Sequence, residues 1–429
     1  VLQVNKLSLH VDGGLLAARG SYAVHGPVNI QIAAKNFSTA ILQDVTGSNS
    51  VPVDSRIDFA LNMSGTSDNP VAEGSVQLTG GTLNGVPFTD AFALFNVKNG
   101  VISLNQASLT RSPYKATAAG TIPLAALRDD VSDGPIHVEL RLDNAGLDGL
   151  AFLTPWVEEA KGAMTGRIVV GGTVQNPQLN GAVTVRNGYA KLKGTSNPLD
   201  SVNGDLIFNG NSATLESHGT MDKKGKGDKG YYDIKGKAVW EGTTLTDYSL
   251  TVGAHGLALD CDYYKGPVDG ELTVSKDGDL PLISGNIDVH DATIDIPLAL
   301  VMSDSDMNAA LDITVKAGDK VRFYNSGLYD VWVTGDATFK GTVKSPYATG
   351  HFDVTRGSVR YLDTRFQIIQ GRAEFKGTSF IPYINLSANT RVGQYAIFLN
   401  LTGPADDMEM NFQSDPPLSR TQIVSLVTL

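Results

Sequence analysis

The stretch that decides the fold reads Gly172-Thr-Val-Gln-Asn-Pro177-Gln-Leu-Asn-Gly181-Ala-Val-Thr-Val-Arg-Asn-Gly188. Its frame of glycine, proline, glycine and glycine steps five, four and seven residues. The frame recurs at Gly65, Pro70, Gly74 and Gly81, and at Gly341, Pro346, Gly350 and Gly357. A fourth copy keeps Pro281 and Gly285 but carries Lys276 and Ala292 at the outer positions. Repetition at a fixed frame marks one structural unit used in series. Within the copies, Val76/Leu78, Val183/Val185, Ile287/Val289 and Phe352/Val354 alternate with Ser75/Gln77, Ala182/Thr184, Asn286/Asp288 and His351/Asp353. That is the period of a strand with one apolar and one wet face. Asn-Pro or Ser-Pro opens the turn before it, because proline presets φ and donates nothing to a ladder. Beyond the last frame position the alternation resumes, with Leu83, Leu192, Ile294/Ile296 and Val359/Tyr361 on the apolar side.

The anchors fall near 65–85, 172–192, 276–296 and 341–361. The whole chain, 1–429, reads as a single elongated repeat β-domain. At roughly 10 residues per strand plus turn, it holds about 40 strands. Stacked at ~4.8 Å each, they extend on the order of 150–200 Å. Helices are scarce. The segment 147–161 offers Thr154 as N-cap and Pro155 at the first helical position. Residues 418–429 begin a second helix, in which Ser419 and Gln422 form a capping box ahead of an apolar stripe of Ile423, Leu426 and Val427. That stripe is still running at Leu429. With Val1 in first place, this makes the chain read as a piece of a longer protein.

Composition narrows the function. Glycine supplies 46 of 429 residues, without the three-residue period of collagen. Lys+Arg total 34 against 45 Asp+Glu, a net charge of −11 with no basic block, which excludes a nucleic-acid binder. One cysteine, Cys261, excludes a disulfide framework and a cysteine zinc site. The seven histidines never fall three or four apart. Gly225, Gly227 and Gly230 match a dinucleotide fingerprint, but Tyr231 onward reads as strand where a helix is required. Asp304, Asp306 and Asn308 resemble the start of a calcium loop whose twelfth position would be Val315 rather than a glutamate. Nothing here supports catalysis, a metal or a cofactor.

A sheet with one apolar face must cover it. Either it folds over so that the apolar residues meet each other, or it stays an open, curled trough that something else occupies. Acyl chains fit a trough, since a 16-carbon tail loses roughly 12 kcal/mol on exposure to water.

The Gly-Thr-x-x-x-Pro-x-x-x-Gly frame resembles the TamB family of the AsmA-like superfamily. So do the 147–161 segment running into Gly166-Arg-Ile-Val-Val-Gly-Gly172 and the segment Phe412-Gln-Ser-Asp-Pro416-Pro-Leu-Ser-Arg420-Thr-Gln-Ile-Val-Ser-Leu426. The resemblance covers essentially the whole chain, as a C-terminal portion. It implies an all-β, long curled repeat sheet with a taco-like groove and one or two short helices. It also implies a periplasmic protein anchored in the inner membrane by an N-terminal helix outside this chain, its C-terminal end towards the outer membrane. The implied activity is bridge-like transfer of phospholipid between the membranes. The implied alternative is assembly of outer-membrane β-barrels with an Omp85-family partner, TamA or BamA-like. A passive β-solenoid spacer is a third reading.

In the first reading Val76, Leu78, Leu83, Val183, Val185, Leu192, Ile287, Val289, Ile294, Ile296, Phe352, Val354, Val359 and Tyr361 line the lipid groove. Phe412, Pro416, Pro417, Leu418, Ile423 and Leu426 form the end that either docks a partner or caps the sheet.

Overall fold

A computed structural model describes residues 1–40, 53–83, 86–127, 134–147, 156–222, 229–295 and 308–428. These residues hold 26 β-strands belonging to one sheet, the all-β fold that the alternation implies. The chain divides into two compact units. The first contains β1 (Leu2–Val11), β2 (Gly14–Tyr22), β3 (Val28–Ser38), β4 (Val53–Gly65), β5 (Pro70–Leu83) and β6 (Val86–Lys98). It continues with β7 (Val101–Arg111), β8 (Tyr114–Pro123), β9 (His137–Gly146), β10 (Val157–Lys161), β11 (Ala163–Gly172) and β12 (Pro177–Leu192). The strands β13 (Leu199–Gly210), β14 (Ser212–Asp222), β15 (Lys229–Glu241) and β16 (Thr244–Cys261) are divided between the units. The second unit continues with β17 (Tyr264–Asp277), β18 (Leu280–Val289), β19 (Thr293–Ile294), β20 (Ala310–Asn325) and β21 (Tyr329–Thr342). It ends with β22 (Ser345–Tyr361), β23 (Thr364–Lys376), β24 (Tyr383–Val392), β25 (Tyr395–Pro404), β26 (Glu409–Asp415) and the helix α1 (Arg420–Val427).

The glycine-proline frame is a hairpin followed by a bulge. Gly65 pairs with Pro70, Gly172 with Pro177 and Gly341 with Pro346, each pair closing a four-residue turn. The threonine after the glycine locks that turn. Thr66 Oγ1 accepts from the Asn69 amide at 3.1 Å, Thr173 Oγ1 from Asn176 at 3.2 Å and Thr342 Oγ1 from Ser345 at 3.1 Å. Gly341 has φ +93°, and a Cβ there would lie 2.5 Å from the Ser345 carbonyl oxygen.

The seven-residue step has a different purpose. Side chains alternate with period two, so seven residues would carry the apolar set to the wrong face. An extra residue corrects the parity. In β5, opposite partners run Ser55–Gly81 and then Arg56–Thr79, skipping Gly80. In β22 they run Trp332–Arg356 and then Val333–Val354, skipping Thr355. Such bulges bend and twist the strand while leaving both apolar segments on one side.

In the first unit, successive strands pair antiparallel from β1 to β9, then β11 and β12, with β10 beside β12. In the second unit β18 runs parallel to β20, and β20 to β26 form an antiparallel meander.

Two expectations are corrected. The described residues hold 26 strands rather than about 40, because many run well beyond the usual five or six residues, to 18 in β16. The segment 147–161 is not a helix throughout. Val157–Lys161 is β10, pairing with Tyr189–Leu192, and Lys191 Nζ binds Glu158 at 3.0 Å. A cross-strand ladder outweighs the helix propensity of a Glu-Glu-Ala-Lys run. Thr154 and Pro155 lie outside the described residues.

Gly341→Ala should lower unfolding stability by about 1–3 kcal/mol, from strain at a positive φ. Gly327→Ala, whose Cβ would meet nothing nearer than Asn325 Oδ1 at 3.7 Å, should leave it unchanged in the same denaturant titration. Equal losses would contradict the assignment of strain to the hairpin.

Candidate functional site

Directly opposite residues of an antiparallel sheet share a face, so the pairing traces what that face presents. From β3 to β12, one row runs Phe37, Ile57, Leu78, Ala91, Leu109, Ala116, Leu142, Gly166 and Val183. A neighbouring row begins at Leu9 and Leu16 and continues through Ala34, Phe59, Val76, Ala93, Ala107, Ala118, Leu140 and Ile168. No polar side chain interrupts either row. The second unit repeats the arrangement with Leu257, Val268, Val289, Ala317, Gly335, Phe352, Ala373 and Ile384.

Among the described residues this face is only partly covered along the first unit, with Phe37 at its β3 end 1% exposed. Leu78, Leu109, Leu140, Leu142 and Ile168, all in the interior of the sheet, remain only half-buried. A second sheet packed at ~10 Å would bury such side chains fully.

The alternation-derived residues distribute as follows. Val76, Leu78 and Val183 lie in the traced rows. Val185 pairs with Met164 and Leu192 with Val157. Ile287, Val289, Ile294, Phe352 and Val354 come together in one cluster around Ala317, Val321 and Val333. Val359 and Tyr361 join a separate cluster beneath α1. Only the backbone of Leu83 is described, and Ile296 lies outside the described residues. Leu109, Leu140, Leu142 and Ile168 were missed because they sit between frames, although their own strands alternate. Phe339, Phe375 and Phe380 were missed for the same reason. Phe339 has ring contacts at 5.8 Å to Phe375 and 5.7 Å to Phe380, and Phe375 one at 6.2 Å to Phe352.

At the C-terminal end the face is covered. Ser419 and Gln422 form the capping box, with Ser419 Oγ accepting from the Gln422 amide and Gln422 Oε1 from the Ser419 amide. Helix α1 then lays Ile423 and Val427, each 1% exposed, on Phe366, Leu386, Ile397 and Leu399. Thr364 Oγ1 donates to the Val427 carbonyl at 2.7 Å and ties the helix to β23. Phe412, Leu418 and Leu426 pack against the same cluster, whereas Pro416 and Pro417 remain exposed.

The opposite face is polar and paired across strands. Thr165–Thr184, Thr251–Thr273 and Thr314–Thr338 are joined by hydroxyl hydrogen bonds of 2.9, 2.9 and 3.0 Å. Arg141 and Arg167 lie directly opposite each other, and Glu139 accepts from both. Their guanidinium groups, Arg167 first, hold the Glu139 carboxyl down to about 2. The Arg372 guanidinium likewise keeps Asp353 below the usual carboxylate range. These paired charges therefore lie on the side of the sheet away from the traced apolar rows.

Among the described residues, no group of three or more His, Cys, Asp or Glu side chains could hold a metal ion. No helix among them is long and apolar enough to cross a membrane. Gly225, Gly227, Asp304 and Asp306 lie outside the described residues. A family model described as the TamB C-terminal domain matches residues 4–222 and 299–429.

Ile423→Ala should destabilise the docked helix by about 2–5 kcal/mol. Amide exchange across 420–427 should then accelerate while exchange in β4 to β8 stays unchanged. Unaltered exchange in α1 would show that the helix is not held by this contact.

Proposed function

The chain belongs to the family of TamB C-terminal domains, and from that membership we propose that its apolar face carries the acyl chains of phospholipid through the periplasm, between the inner and outer membranes. The family is associated with the cell envelope, as a transport and assembly module. One observation carries the finer reading: rows of apolar side chains cross strand after strand without a polar interruption, and among the described residues of the first unit Leu78, Leu109, Leu140, Leu142 and Ile168 stay only half-buried. A tail sliding along such a face exchanges one apolar contact for the next. It never meets the roughly 12 kcal/mol step into water that a 16-carbon chain otherwise faces. In this reading Val76, Leu78, Val183, Val185, Leu192, Ile287, Ile294, Phe352 and Val354 touch lipid, whereas Val289 is buried in its cluster and Val359 and Tyr361 pack beneath α1. Headgroups stay in water along the open side, and no cofactor takes part.

A second reading rests on the C-terminal edge. Among the described residues β26 pairs on one side only, with β25, and the exposed Pro416 and Pro417 follow it. A free strand edge can be extended by another strand. An Omp85-family barrel of the TamA or BamA type is the partner that this edge would take in an assembly role.

Mass spectrometry of gently purified protein separates the two. The lipid reading predicts stoichiometric phospholipid on the native chain. The paired substitution Val183→Arg and Val185→Arg should reduce it at least tenfold, with the strand content unchanged by circular dichroism. Equal phospholipid on the folded variant, or none on the native chain, would overturn it. The second outcome favours the edge-pairing role.

A further inference from the structure

On the polar side of the second unit, β20 to β23 gather four arginines around one carboxylate. Arg322, Trp332 and Arg356 are successive cross-strand partners, and both guanidinium groups lie over the Trp332 ring, at 5.1 and 4.4 Å. Arg322 also lies 4.4 Å over the Tyr324 ring and grips Asp330 through two bonds of 2.7 and 3.0 Å. Stacking and a bidentate pair hold its fork in one orientation. Asp330 lies opposite Ser358, which is 4% exposed and whose Oγ accepts from Arg365 Nε at 2.7 Å. Arg365 is thus aimed as well. Its direct partner across β22 and β23 is Arg360. Like charges placed opposite each other weaken a sheet, and among the described residues neither arginine has a carboxylate in an ion pair.

The hairpin 325–329 closes this cluster into a recess of about 260 Å³, lined by Arg322, Tyr324, Asn325, Ser358, Arg360 and Arg365 among others. The recess holds several molecules the size of a water, at ~30 Å³ each. Asn325 and Tyr329 pair with each other, and Tyr329 pairs with Val359 of the apolar face. The recess therefore sits at a rim where the two faces meet.

We propose that this recess binds a phosphoryl group, with Arg360 and Arg365 as its primary donors and Arg322 and Asn325 completing the shell. Converging guanidinium forks match a tetrahedral oxyanion, and they supply more donors than a planar carboxylate accepts. A bound anion also resolves the Arg360–Arg365 opposition. Asp330 offsets only part of that opposition: the Arg322 hydrogen bond engages it first, Arg365 and Arg356 also lower its carboxyl, and it stands as one carboxylate against four guanidinium groups. The phosphoryl group belongs either to a phospholipid headgroup at the rim, its tails over the apolar face, or to free phosphate.

Calorimetric titration of the full chain with inorganic phosphate, and separately with water-soluble dihexanoyl phosphatidylglycerol, distinguishes these sources. Variants Arg360→Gln and Arg360→Glu should each weaken binding about tenfold or more. The second restores an opposite-charge pair with Arg365 and so guards against misfolding as the explanation. Binding of both probes, lost in the variants, assigns a site that free phosphate fills. Binding of the phospholipid alone, lost in the variants, assigns a headgroup site. No binding of either probe, or equal binding by both variants, overturns the proposal. The Val183→Arg and Val185→Arg pair leaves this recess intact, so failure of the acyl-chain reading is scored separately.

Discussion

A strand of 17 residues keeps one face apolar only if the parity of its side chains is corrected wherever its backbone bends. In this protein that correction is the bulge inside the glycine frame. Without the skipped Gly80 or Thr355, the second half of β5 or β22 would turn its apolar residues to water and its polar ones inward. The continuity of the apolar rows and the placement of Glu139, Arg141 and Arg167 on the other face follow from keeping that parity across successive strands. The hairpins at Gly65, Gly172 and Gly341 set where each strand begins, and the bulge decides where its side chains point.

A single layer with one greasy face loses the burial that a sandwich would provide. The structure compensates on the polar side, where hydroxyl pairs and arginine–carboxylate bridges join strand to strand. Most of these pairs are solvent-exposed, so each contributes little, and their value lies in fixing register. Helix α1 shows what cover looks like when it is present. Beneath it Phe366, Ile397 and Leu399 are fully buried, whereas Leu78 and Leu142 in the first unit are not. The contrast within one chain supports the view that the uncovered face is left open for a ligand.

Local features could be read from the residues. The Gly-Thr-x-x-x-Pro hairpins, the alternation at Val183/Val185 and Phe352/Val354, and the Ser419/Gln422 capping box each depend on neighbours within a few positions. Features set by partners far along the chain could not. Val157–Lys161 has the composition of a helix and becomes a strand because Tyr189–Leu192 lies beside it. Leu109, Leu140 and Ile168 carry no frame and join the apolar rows only through register. The recess at Arg360 and Arg365 follows the same rule: five residues apart along a hairpin, they face each other only once β22 and β23 pair.

Photo-cross-linking from the two faces tests the central claim most directly. Benzoylphenylalanine substituted for Leu78, Leu142 or Ile168 samples the apolar rows, and substituted for Gln77, Arg141 or Thr165 it samples the polar face. In cells, the account predicts phospholipid adducts from the first three positions and none from the last three. Adducts in equal yield from both faces, or from neither in protein shown to be folded, would contradict it.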